Sequence, residues 1–194
     1  LTLRAFEVDR VEKIGDDWAI EISGKTIGPR MADASGHIGM AREIAILQGR
    51  AITQKSQKVQ EYPRRAVGQA LSIAVESPDD CPRYTARVMT DVTVAPAPAR
   101  IRERLAVCGI QSINNIVDAA NYMMLETGQP LHVFDFDSLT PAHAMSKKIT
   151  VRRAREGERM IGLDEKHYTL DPYILVIADE EAPLAIAGVK GGKG

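Results

Sequence analysis

Residues 112–139 read SINNIVDAANYMMLETGQPLHVFDFDSL. Ile113, Ile116, Val117, Ala120 and Met124 fall at i, i+3, i+4, i+7 and i+11, which is one stripe of a helix. Ser112 is the expected N-cap. Gly128 is the expected left-handed stop, and Pro130 forbids continuation. The segment "LHVFDFDSL" then leaves in extended form, with His132 facing away from Leu131 and Val133. One residue resists this pattern: Asn121, at i+8, shares the apolar stripe. An amide taken from water without a partner costs about 1–3 kcal/mol, so Asn121 is expected to bond either backbone or a ligand. On spacing alone, Asn121 and His132 read better as structural groups that hold the turn than as a reactive pair.

Upstream, "LRAFEVDRVEKIGDDWAIEI" alternates loosely about a Gly-Asp-Asp turn and predicts two strands in a hairpin, with Trp18 in the core. A Gly- and Pro-rich loop follows. "SGHIGMAREIAILQG" predicts a helix capped by Ser35 and stopped by Gly49, with His37 at its start. Residues 50–66 are polar and basic and read as a solvated connector. Beyond them Leu71, Ile73 and Val75 alternate. Tyr84, Ala86, Val88, Val92 and Val94 predict a second strand region. "APARIRERLAVCGI" is amphipathic and predicts a helix ending at Gly109.

Downstream, "KKITVRRARE", "ERMIGLDEKHYTL" and "ILVIADEEAPLAIAGV" predict three strand regions. Arg152 and Arg153 read as a solvated strand face, and His143 and His167 as exposed loop or hairpin residues. Strands flanking a central pair of helices predict an α/β (α+β) fold of mixed layered sheets with central helices. The expected division is an N-terminal segment over 1–66, with hairpin, helix and basic linker, and a second domain over 67–194.

The bulk composition excludes more than it selects. The chain has 194 residues, 44% hydrophobic and 26% charged, with a net charge of −1. That describes an ordinary globular protein with no overall basic field to attract nucleic acid. Cys81 and Cys108 are far apart, form no CxxC and read as reduced thiols of a cytoplasmic protein. The four histidines show no metal-ligand spacing. No apolar run reaches membrane-spanning length. The chain opens without methionine and stops just after a strand-like run, so it is expected to be a fragment of a longer protein.

The segments "CPRYTARV" (81–88), "GIQSINNIVDAANYMMLETGQPLHVFDFDSL" (109–139), "VRRAREGE" (151–158), "GLDEKHYTL" (162–170) and "LVIADEEAPLAIAGVKGG" (175–192) resemble, in order and spacing, the beta subunit of phenylalanyl-tRNA synthetase. "FEVDRVEK" and "GHIGMAREIAIL" resemble its N-terminal part more weakly. The resemblance implies an ATP-dependent class II ligase, typically an α2β2 heterotetramer with an alpha subunit and tRNA(Phe) as partners. No cofactor is expected in this fragment; ATP and Mg belong to the intact enzyme. The matched region is similar to the editing domain, which hydrolyses mischarged Tyr-tRNA(Phe). An apolar pocket rejects an added hydroxyl by only about a hundredfold, so a second, hydrolytic site has a physical rationale.

By motif position, the resemblance gives catalytic roles to Asn121 and His132 and substrate-binding roles to Gln111, Ala120, Ala187 and Gly188. It makes the backbone at Ala187 and Gly188 the opposite wall. Three departures bear on this: Ala120 replaces a usual threonine, Gln111 a usual arginine, and Lys190 the methionine of "GVMGG". Two alternatives follow, a structural or tRNA-docking domain with reduced or lost editing and a freestanding trans-editing domain.

Overall fold

The computed structural model describes residues 6–53, 58–59, 61, 66–140 and 146–193. His143 and much of the basic connector over 50–66 lie outside the described residues. The chain forms two units interleaved in sequence. Unit 1 is Leu1–Lys58 with Thr93–Val133, and unit 2 is Val59–Val92 with Phe134–Gly194.

Unit 1 begins with the expected hairpin. Strands β1 (Val8–Ile14) and β2 (Asp17–Ile22) pair antiparallel, and Gly15, at φ +59°, lets the chain reverse. Val11 lies opposite Ile20 and Lys13 opposite Trp18. These side chains share a face that faces water: Trp18 is 58% exposed. The sequence reading of Trp18 as core is corrected here, because alternation fixes a strand's two faces but not which one is covered.

Short helices α1 (Gly24–Ile27) and α2 (Met31–Ala34) lead into α3 (His37–Gln48). The residue capping α3 is Gly36, in extended conformation, rather than Ser35. Gly49, at φ +62°, ends the helix as expected. Helix α4 (Ala99–Val107) buries Leu105 completely and closes where the sequence placed its stop. There Gly109 donates to Ala106 O at 3.0 Å and Ile110 to Leu105 O at 2.9 Å, a left-handed cap with paired bonds. Helix α5 (Asn115–Thr127) completes the unit.

Unit 2 is a mixed sheet in the order β3 (Leu71–Val75), β4 (Lys147–Arg153), β7 (Leu175–Ala178), β8 (Pro183–Ile186), β9 (Lys190–Gly191). The pair β3–β4 is parallel and the others antiparallel. A separate hairpin joins β5 (Arg159–Ile161) to β6 (His167–Thr169), with His167 exposed. Two of the three downstream strand regions thus fold back into strand pairs.

Ile149, Val151 and Ile177 pack with Leu71, Leu139 and Ala185; Val176 and Ala178 pack with Ala154, Met160 and Leu170. The two sets lie on opposite faces, as period-two alternation requires. The strand expected over Tyr84–Val94 does not form. Tyr84, Ala86 and Val88 still press alternate side chains on the first cluster, but their backbone joins no ladder. Helices with mixed sheets make the fold α+β, as expected.

Candidate functional site

Helix α5 starts later than its apolar stripe suggests. Ile113 precedes the helix and is exposed. The cap is Asn114, whose side-chain oxygen accepts from the backbone of Ile116 and Val117, both at 3.0 Å. Ser112, the expected cap, bonds elsewhere, its hydroxyl donating to Asp118 Oδ2 at 2.5 Å. The other Asp118 oxygen accepts from Ile113 N at 2.9 Å. Asp118 is the fully buried residue of α5, while Ile116, Val117, Ala120 and Met124 are only half-buried. A carboxyl is stable there because both oxygens are bonded.

The three asparagines of this helix have different fates. Asn114 caps. Asn115 is tied to the preceding chain, its Nδ2 donating to Thr93 O at 3.0 Å and its Oδ1 accepting from Ala95 N at 3.0 Å. Asn121 is half-buried, and among the described residues its amide makes no hydrogen bond. Tyr122, one residue on, accepts from Arg104 of α4 at 2.6 Å.

The helix ends as the sequence predicts. Gly128 sits at φ +78° and donates to Met124 O at 2.8 Å. Past Pro130 the chain carries His132, which is exposed as a residue. Its surroundings still withhold enough water to push the imidazole below its ordinary value, by the desolvation cost of the charged form. The ring is therefore neutral at pH 7.

The structure places Gln111, Ala120, Asn121 and His132 in unit 1. Gln111 is exposed between α4 and α5, and Ala120 and Asn121 are consecutive on α5. Ala187 and Gly188 lie in unit 2, in the turn from β8 to β9. There Ala187 N donates to Leu175 O at 2.9 Å, and Gly188, at φ +70°, lets Val189 N close on Ile186 O at 3.1 Å.

Sequence reasoning missed the partner of Lys190. Its ammonium lies 2.8 Å from Asp164 Oδ2, which also accepts from Tyr168 OH at 2.8 Å. The lysine, and secondarily the tyrosine, hold the Asp164 carboxyl down to about 2. The lysine is raised in return, chiefly by Asp164. A carboxylate, a phenol and an ammonium scattered over "GLDEKHYTLDP" and "GVK" give a sequence no periodic signal to read.

The Arg152 reading is corrected as well. Its guanidinium is buried and forked onto Glu158, at 2.9 and 2.6 Å. That bond raises Arg152 and lowers Glu158. Arg153 is exposed and pairs with Asp80 at 2.8 Å.

Two polar hollows open on the surface. One of about 310 Å³ lies beside Thr150 and Arg152, and one of about 430 Å³ lies between α3 and Thr127. Neither is lined by Asn121, His132, Ala187 or Gly188. Among the described residues no group of three or more His, Cys, Asp or Glu could hold a metal ion, and no helix is long and apolar enough to cross a membrane.

Residues 80–194 match the family model of the B3/4 domain. The chain is 40% identical over 187 residues to the phenylalanine–tRNA ligase beta subunit of Symbiobacterium thermophilum, covering 96% of this chain and 20% of the relative. It is 42% identical over 177 residues to that of Anaeromyxobacter dehalogenans, covering 91% and 21%. With the Solibacter usitatus subunit it shares 44% over 178 residues, covering 92% and 22%. The chain thus spans about one fifth of the length of these curated relatives.

Proposed function

This chain belongs to the B3/4 domain family, and from that premise we propose that it is the editing region of a phenylalanine–tRNA ligase beta subunit. It would hydrolyse Tyr-tRNA(Phe) within a cytoplasmic complex with an alpha subunit and tRNA(Phe). The observation that carries this reading is the unoccupied amide of Asn121: the side chains of Asn114, Asn115 and buried Asp118 all hold backbone or a neighbouring side chain, and this one remains available to a ligand.

The reaction asks little of the protein, because an aminoacyl ester is already activated. Water attacks the carbonyl carbon, the ester C–O bond breaks, and the ribose oxygen leaves with a proton. The neutral His132 imidazole takes the proton of the attacking water and returns it to that oxygen. Asn121 orients the carbonyl or the tyrosyl group by donating its amide hydrogens. Gln111 and Ala120 keep the substrate-binding roles that motif position gives them, as do Ala187 and Gly188. ATP and magnesium would serve the ligation reaction of the intact enzyme, and no step of the hydrolysis passes through them.

The test is deacylation of Tyr-tRNA(Phe) by the intact enzyme. Asn121→Ala and His132→Ala are each expected to slow it by about 10²-fold or more. Unchanged rates in both variants overturn their roles. A wild type without deacylation favours the second reading, a tRNA-docking domain that has lost editing. That reading draws on the absence at Ala120 of the hydroxyl the family usually supplies.

A further inference from the structure

Within unit 1 the start of α3 meets the end of α5 more closely than side chains permit. A methyl group at Gly36 would collide with Gly128 N, and would stand 2.6 Å from the Thr127 carbonyl carbon and 2.8 Å from Glu126 O. All three are backbone atoms that cannot swing aside. From the other side, a methyl at Gly128 would collide with Ser35 Oγ, and φ +78° already reserves that position for glycine.

Next to Gly36 in the chain is His37, whose Nδ1 lies 2.8 Å from Leu125 O. A carbonyl only accepts, so Nδ1 carries the hydrogen. The last turn of a helix leaves carbonyls without intrahelical partners. In α5, Gly128 N serves Met124 O at 2.8 Å and Thr127 Oγ1 serves Met123 O at 2.7 Å. The bond to Leu125 O comes from α3.

We infer that Gly36, His37 and Gly128 form a positioning clamp that sets where the chain leaves α5, and thereby where the His132 imidazole stands for the hydrolysis proposed above, a role that rests on that reading. The lever is short. Four residues from Gly128 to His132 span at most about 14 Å, and Pro130 fixes one of the dihedrals between them. The other end of α5 is held independently, by Asn114, by Asn115 and by Asp118. Asn121 therefore takes its position from the start of the helix and His132 from its end, and the clamp fixes the relation between the two. The three would act through the backbone that leaves α5, not on the ester itself, so they are positioning residues.

The experiment uses the intact enzyme with Gly36→Ala, His37→Ala and His37→Asn. Asparagine puts an amide N–H where Nδ1–H stands, and alanine removes the donor. Two measurements are made: steady-state deacylation of Tyr-tRNA(Phe), and the pH dependence of diethylpyrocarbonate modification of His132, read peptide by peptide by mass spectrometry. A displacement of roughly 1 Å at a reacting group costs about 10²-fold. The expected results are therefore a kcat reduced by about 10²-fold in Gly36→Ala and by about tenfold in His37→Ala. KM should stay within about twofold, and His37→Asn should recover most of the loss.

The modification midpoint of His132 is expected to move upward in both alanine variants and to return in the asparagine variant. An unchanged midpoint in both alanine variants overturns the clamp, whether or not the wild type deacylates. A moved midpoint in an enzyme that does not deacylate overturns the hydrolytic reading and leaves the clamp standing. If Gly36→Ala does not fold, the two His37 variants decide.

Discussion

Helix α5 and strand β4 both carry polar side chains to places that water barely reaches. On β4, buried Lys147 donates to Leu139 O at 2.6 Å, and buried Arg152 is forked onto Glu158. On α5, buried Asp118 is bonded through both oxygens, yet one turn further Asn121 keeps its amide unoccupied among the described residues. The strand uses its buried cations to hold its own loops in place. The helix does the same with its carboxyl and then presents a second polar group that holds nothing. Burial of charge therefore marks architecture in this molecule, and the half-buried amide without a partner is the group proposed to meet a ligand.

The largest expected effect falls on the strand. Arg152→Ala leaves the largely buried Glu158 carboxylate without its cation, and breaking such a pair costs up to about 3–5 kcal/mol. Chemical denaturation of the variant measures this. A change inside the error of the measurement would mean that the strand's charge is not architectural, and the comparison would lose one side.

On the helix, two substitutions a single turn apart are expected to diverge. Asp118→Ala strands Ile113 N–H and the Ser112 hydroxyl, at about 2–3 kcal/mol. Asn121→Ala loses no internal bond and is expected to stay within about 0.5 kcal/mol of wild type, while deacylation collapses. Equal destabilisation by the two would show Asn121 to be structural, and the distinction on which the candidate site rests would be gone.

How much of this was legible beforehand depended on whether the signal was local. Gly128, Gly109 and Gly49 announce helix ends because a left-handed residue is a local requirement, and all three stops are where the sequence put them. The central helix is legible from its apolar spacing, but its buried side is not. Asp118 looks like a solvent residue until Ser112 and Ile113 N–H fold back onto it. Trp18 lies outside and Arg152 inside, against expectation, for the same reason: a strand's alternation is local, while its cover comes from elsewhere in the chain. Tyr84, Ala86 and Val88 alternate as a strand would, and a neighbour to pair with is what the pattern cannot supply. Asn121 was legible as an anomaly, since an amide on an apolar stripe is locally inconsistent. That its bonds are unoccupied required the positions of Asn114 and Asn115 for contrast.

A subtler expectation concerns pH. Desolvation lowers the His132 imidazole from 6.5, so the charged form is the disfavoured one. Deacylation is expected to rise with pH through a midpoint below that value and to be level with respect to this group from neutral pH upward. Stability has the same sign: between the two values the unfolded chain binds the proton and the folded chain does not, so acid lowers stability across that window. A pH–rate profile of the intact enzyme with its acid limb centred above 6.5 would show the ring held as a cation, contrary to its proposed role as proton acceptor.

The smallest expected effect tests whether an exposed ion pair follows the architectural rule. Lys190 and Tyr168 hold the Asp164 carboxyl at about 2, from an ordinary 3.8. A depressed carboxyl contributes stability that is full above its unfolded value and is lost as pH falls toward the folded one. Lys190→Met, which installs the residue the family resemblance leads one to expect, removes the larger cause and leaves the phenol. The variant is expected to lose less stability than wild type between about pH 4 and about 2, and to differ little from it at neutral pH, where surface pairs contribute modestly. Added salt should narrow the remaining difference, because the pair is open to solvent and counterions reach it. Denaturation midpoints measured across that acid range, at low and high salt, separate a weak surface pair from a group wired into the β8–β9 turn. Only in the second case would the methionine variant unfold more readily at neutral pH and be insensitive to salt.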